Sequence, residues 1–91
     1  DVGDWKVAYD LAKKDSNGNV VMHEKGDGEF IGIETKNCLI HFSDQLVATI
    51  GVKDLIIIDT KDALLITRRD KAQEVKNLVN RLKEEGKKKY L

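Results

Sequence analysis

IGVKDLIIIDTKDALLI, residues Ile50–Ile66, is the longest apolar run in the chain, and the polar knot Asp59-Thr60-Lys61-Asp62 interrupts it midway. Leu55-Ile56-Ile57-Ile58 before the knot and Ala63-Leu64-Leu65-Ile66 after it are each too short for a typical helix, and β-branched side chains dominate the first. This pattern predicts two short strands joined by a tight polar corner. The apolar residues occupy consecutive rather than alternating positions, so both faces of the two strands are expected to be covered. Asp59 and Asp62 are close enough in sequence to share a cation, but capping the corner through side chain to backbone hydrogen bonds is the better reading.

The same pattern occurs earlier in the chain. Residues 31–40 align with residues 56–65 at an offset of 25, with Ile31/Ile56, Ile33/Ile58, Thr35/Thr60, Lys36/Lys61 and Leu39/Leu64 identical. Glu34/Asp59, Asn37/Asp62, Cys38/Ala63 and Ile40/Leu65 are close exchanges. A repeat of this length suggests two stacked β units, neither able to bury its apolar face alone. Chance similarity between two strand-turn-strand segments is the rival explanation.

Working outward, residues 4–14 are expected to form a short amphipathic helix, with Asp4 as N-cap and Trp5, Ala8, Leu11 and Ala12 on one face. Val7 and Tyr9 lie off that stripe, which points to a second neighbour. Asn17-Gly18 is a strong turn signal. Strands are expected at 19–23, 30–34, 38–42 and 46–52, with Gly26-Asp27-Gly28 as a turn rather than a phosphate cradle. At the other end, Ala72, Val75, Leu78, Val79 and Leu82 form one apolar stripe. A helix over 71–85 follows, with Asp70 as N-cap, Gln73 in a near capping box, and Gly86 at the C′ position. Lys87-Lys88-Lys89 is expected to be a solvated, frayed tail.

Composition narrows the class of protein. Apolar content of 41% with 35% charged residues describes a chain able to build one small core, not a disordered one. Sixteen basic residues balance 16 acidic ones, so nothing overall draws the chain to nucleic acid or an anionic membrane. No run of about 18 apolar residues is present, and the opening residues do not form a signal peptide. The single Cys38 has no internal partner, which fits a reducing compartment, and its apolar neighbours make it a buried small hydrophobe rather than a nucleophile. His23 and His41 sit in strand-like segments without acidic or cysteine partners at metal spacing, so they are expected to be structural or surface histidines. No nucleophile elbow, phosphate loop or zinc pattern is present.

Taken in order, six segments resemble the C-terminal region of the long bacterial mannose-1-phosphate guanylyltransferases (GDP-mannose pyrophosphorylases). They are Asp1-Val2-Gly3-Asp4-Trp5, Gly18-Asn19-Val20-Val21, Asn37-Cys38-Leu39-Ile40, Leu46 to Leu55, Ile58 to Leu65, and Ala72-Gln73-Glu74-Val75-Lys76. The segment from Leu46 to Leu65 is the most specific, and the resemblance covers nearly the whole chain. It implies an upstream nucleotidyltransferase domain that joins mannose 1-phosphate to GTP, giving GDP-mannose and pyrophosphate, with Mg²⁺ neutralising charge on the phosphates. The glycine-rich nucleotide loop and the sugar-binding groups of that domain are not in this sequence. One residue carries over: Asp1 matches the aspartate opening the family's Asp-Val-Gly-x-Trp motif, which implies a Mg²⁺ ligand in the intact parent.

The resemblance therefore implies an α+β fold: a short N-terminal helix, stacked short β-strands of β-helix type with a two-fold sequence repeat, and a C-terminal amphipathic helix. Residues 1–15 would be the tail of the catalytic domain and 16–91 a β-rich domain that packs on it and helps subunits associate into a homo-oligomer. GTP and mannose 1-phosphate would be the parent's ligands, with no nucleic acid or membrane partner and a cytoplasmic location. By itself the chain is expected to be catalytically silent, to carry no bound metal and a solvated Asp1, and to expose apolar surface around the helix of Trp5. The alternative is an autonomous ligand-binding or protein-interaction module built on the same β repeat.

Overall fold

The computed structural model describes residues 4–91. Helix α1 (Trp5–Leu11) is followed by strands β1 (Val20–His23), β2 (Glu29–Ile33), β3 (Leu39–Phe42), β4 (Leu46–Ile50), β5 (Leu55–Asp59) and β6 (Leu64–Arg68). A 3-10 segment, Arg69–Glu74, leads into helix α2 (Val75–Glu84). The strands form a four-stranded sheet in the order β1-β3-β5-β6 and a two-stranded sheet of β2 and β4. Pairing is parallel except between β5 and β6. Odd strands stack on odd strands and β2 stacks on β4, so the chain coils: β1–β2, then β3–β4, then β5. This is a short parallel β-helix closed by a hairpin.

The register gives the length of each coil. Glu29 pairs with Leu46 and Leu39 with Ile56, seventeen residues on in each case, while Val20 pairs with Leu39, nineteen on. The stacking expected from the sequence is present, but the 25-residue likeness is not its period. That likeness aligns β2 and β3, which lie in different sheets, with β5 and β6, which are neighbours in one. What the two segments share is strand, polar corner, strand; the backbone then turns differently in each.

Corners are held by backbone hydrogen bonds between successive coils. Asn37 donates to the Asn17 carbonyl, Gly28 to that of Ser43, and Lys36 to that of Val52. Asn37 and Asp54 adopt left-handed backbone conformations, which these residue types tolerate better than most. The Asn17-Gly18 turn forms as expected, with Gly18 at φ 76°.

The four-stranded sheet is the middle of three layers. On one side, Tyr9, Val20, Leu39, Ile56, Ile58 and Ala72 form a core with Trp5, Ala8 and Ala12 of the helical layer. On the other, Cys38, Ile40, Phe42 and Ile57 pack against Phe30 and Val47 of the small sheet. Strands β3 and β5 are covered on both faces for this reason, and the consecutive apolar residues Leu55–Ile58 are the sequence trace of it. The expectation fails for β6. Leu65 reaches the helical core, but Leu64 and Ile66 are more than half exposed, because the small sheet has only two strands and does not extend over the hairpin's return.

Three local expectations are also corrected. In α1 the inward residue is Tyr9, whose hydroxyl donates to the Gly18 carbonyl at 2.7 Å, whereas Leu11 is 82% exposed. Tyr9 follows Ala8 and Trp5 round the helix, so the buried face lies one position away from the stripe read from spacing alone. Asp70 does not cap the last helix: it pairs with Arg68, and the segment opens as a 3-10 helix without a side-chain cap. Gly86 does stop the helix at φ 71°, with Lys87 donating to the Leu82 carbonyl. The lysine tail is a 3-10 turn, Lys88–Tyr90, in which Lys87 pairs with Glu85 and Lys89 lies over the Tyr90 ring.

Candidate functional site

The corner between β5 and β6 is capped by Thr60, not by its aspartates. The Thr60 hydroxyl donates to the Ala63 carbonyl at 3.0 Å and accepts from the Ala63 amide at 3.2 Å. Asp59 points away from the corner into the sheet interface, where both carboxylate oxygens accept from the Gln45 side-chain amide at 2.8 Å. It is 4% exposed, while Asp62 is exposed, so the two do not form a shared cation site. The sequence expectation that Asp59 and Asp62 hold the corner is thus replaced by a division of labour: Thr60 closes the hairpin and Asp59 ties β5 to the loop before β4.

A buried polar column runs between the sheets, and sequence reading missed it. The Asn19 side chain donates to the Thr35 carbonyl and accepts from the Cys38 amide, both at 2.9 Å. The Thr35 and Thr49 hydroxyls share a hydrogen bond at 2.6 Å. These groups satisfy backbone atoms at corners that no strand ladder can reach, which is a structural role. Polar residues at strand ends are the only trace of it in the sequence.

The remaining chemical candidates are also accounted for. Cys38 is fully buried, its thiol donating to the Lys36 carbonyl, and burial pushes its pKa above the ordinary value of 9.0. A raised pKa removes the thiolate that a nucleophile requires. His23 stacks on Phe42 with ring centroids 4.7 Å apart. His41 meets Glu24 at 3.0 Å and lies against Trp5. Among the described residues no three His, Cys, Asp or Glu side chains come together to hold a metal. Asp1, the implied Mg²⁺ ligand, lies outside the described residues.

What the surface offers instead is apolar. A groove of about 840 Å³ lies between β6 and α2, lined by Leu64, Leu65, Leu78, Val79, Leu82 and Tyr90 among others. The outward face of the small sheet exposes Ile31, Ile33, Leu46 and Ile50. Among the described residues no helix is long and apolar enough to cross a membrane.

Coils of parallel strands, a closing hairpin and a flanking helix define a short parallel β-helix domain. The chain belongs to the MannoseP isomerase/GMP-like β-helix domain family, whose sequence model matches residues 28–82. It is 48% identical over 90 residues to a mannose-1-phosphate guanylyltransferase of Escherichia coli, a match that covers 99% of this chain and 18% of that protein. The alginate biosynthesis protein AlgA of Pseudomonas aeruginosa is 38% identical over 86 residues, 94% of this chain and 17% of that protein. A crystal structure described as mannose-1-phosphate geranyltransferase from Thermus thermophilus superposes with a TM-score of 0.72 at 30% identity, over 87% of this chain and 23% of that one. The chain thus spans about a fifth of the length of the relatives it matches.

Proposed function

We propose that this chain is the C-terminal β-helix part of a mannose-1-phosphate guanylyltransferase, and that it supports the reaction without performing it. The observation that carries this reading is the identity of 48% with the Escherichia coli guanylyltransferase across 99% of the chain. The parent joins mannose 1-phosphate to GTP with Mg²⁺, in the cytoplasm, releasing pyrophosphate. Phosphoryl chemistry of this kind depends on positioning phosphates and cations. The buried Asn19, Thr35 and Asp59 side chains instead bond to backbone atoms and to neighbouring side chains, which supports a structural role. Residues up to about 15 would lead out of the catalytic domain, and Asp1 would contribute to its Mg²⁺ site in the intact parent.

The test compares the complete protein with the isolated 91-residue chain, each supplied with GTP, mannose 1-phosphate and Mg²⁺. Pyrophosphate release is expected from the complete protein alone. Release by the isolated chain, or none from the complete protein, would refute the reading. The same assay weighs the rival: an autonomous binding module would sit in a protein without this activity.

A further inference from the structure

Helix α1 has seven residues, too few to hold its own shape, and Asp4 at its N-cap position makes no side-chain cap hydrogen bond. Two aromatic side chains four residues apart fasten it to the rest of the fold. In its second half, the Tyr9 hydroxyl donates to the Gly18 carbonyl, and the Tyr9 ring meets the Arg69 guanidinium at 4.1 Å and the Lys14 ammonium at 4.7 Å. At its start, Trp5 lies against His41, with ring centroids 5.0 Å apart and planes inclined by 59°.

His41 stands in the middle of the four-stranded sheet, between Met22 of β1 and Ile58 of β5. Both neighbours belong to the apolar core on the helical side. The His41 side chain is 14% exposed, and its Nε2 donates to the carboxylate of Glu24 at 3.0 Å. Its Nδ1 is buried without a partner among the described residues. An aliphatic side chain would fill the same place and leave no nitrogen unpaired, so stability does not account for the imidazole. What the imidazole adds is direction. The bond to Glu24 fixes the plane of the ring, and a fixed ring offers the indole one seat, where non-directional apolar packing would accept several.

We propose that His41, oriented by Glu24, is a positioning residue for the reaction of the intact parent: it seats Trp5, and so fixes the direction in which α1 meets the chain upstream. The proposal rests on the reading that a nucleotidyltransferase domain precedes α1. Two attachments fix the direction of a helix. With Tyr9 alone, α1 would be free to pivot about the Gly18 contact, and the pivot would be passed to the residues before Trp5. A misplacement of about 1 Å at reacting groups can cost about 10²-fold in rate, even when its cause lies far from the chemistry. The β-helix then acts on the reaction through the direction of one helix, and no group of its own has to reach a substrate.

The complete protein, labelled with 5-fluorotryptophan, provides the test. The Trp5 fluorine resonance is assigned with Trp5→Phe, and guanylyltransfer kinetics and thermal unfolding are measured on the same variants. Glu24 is 62% exposed, so Glu24→Ala removes the ring's acceptor and leaves the core intact, while Glu24→Gln keeps an oxygen in its place. Glu24→Ala is expected to shift and broaden the Trp5 resonance and to lower kcat roughly tenfold, with KM for both substrates within about twofold and Tm unchanged. Glu24→Gln is expected to restore both resonance and kcat, and His41→Ala to match or exceed the loss. A Trp5 resonance indifferent to Glu24→Ala would overturn the proposal, as would a kcat within about twofold of the unsubstituted protein's. So would a loss that Glu24→Gln does not restore, or a fall in Tm large enough to account for the lost activity. If the unsubstituted protein performs no guanylyltransfer, the underlying reading fails, and the link to the reaction fails with it, whatever the resonance shows.

Discussion

Asn19 shows how much one side chain contributes to a coil this short. It satisfies a carbonyl and an amide of the corner stacked on its own, those of Thr35 and Cys38, and it is 4% exposed. Asn19→Ala leaves two buried polar groups unpaired, and an expected loss of about 3 kcal/mol would be read from urea unfolding. Leu39, with no exposed surface, sits in the core between the middle sheet and the helical layer; Leu39→Ala is expected to cost about 2–5 kcal/mol through the cavity it opens. Cys38 carries a pH signature. Its folded pKa lies above 9.0 because burial disfavours the thiolate, so the unfolded chain gives up that proton first as pH rises. The contribution is therefore fully present below 9.0 and is lost as pH climbs through the folded value. Cys38→Ala is expected to flatten the fall of stability above that pH in unfolding curves, and the folded wild-type thiol should resist alkylation at neutral pH.

At the scale of elements, the sequence was most legible where periodicity and burial coincide. The strands of the first two coils, the Asn17-Gly18 turn and the stop of α2 at Gly86 followed from local pattern, while of the last apolar stripe Ala72 and Val75 are buried and Leu78 is exposed. Three features did not. Asp70 has the residue type and place of an N-cap, yet Arg68 two positions earlier holds it in an exposed ion pair, and helix propensity cannot foresee that competition. Asp70→Ala is accordingly expected to change stability by less than about 0.5 kcal/mol, whereas loss of a working cap costs about 1 kcal/mol; thermal unfolding separates the two. In α1, Tyr9 and Leu11 differ by less than a full turn, and only the tertiary partner, Gly18, decides which turns inward. In β6, the apolar run reads as buried on both faces, but its neighbours cover only one. Coverage is a property of the layer above a strand, and nothing within the strand records how wide that layer is.

For the whole molecule, the coil period is the clearest limit on sequence reading. The 25-residue likeness is real as sequence, while the coils stack at seventeen and nineteen residues, because corner geometry rather than strand chemistry sets the period. The chemical candidates read from residue types, Cys38, His23, His41, Asp59 and Asp62, are not brought together by the fold, and Asp1 lies outside the described residues. Buried polar groups tie coils to each other, and apolar surface is left on the small sheet and beside β6. Those are the properties of a layer that other structure packs against.

The measurement that bears most directly on that role is GDP-mannose formation by the complete protein and by the isolated 91-residue chain, with the chain's fold checked by circular dichroism. Activity in the complete protein and none in the folded chain is the expected result. GDP-mannose made by the folded chain alone would contradict the account.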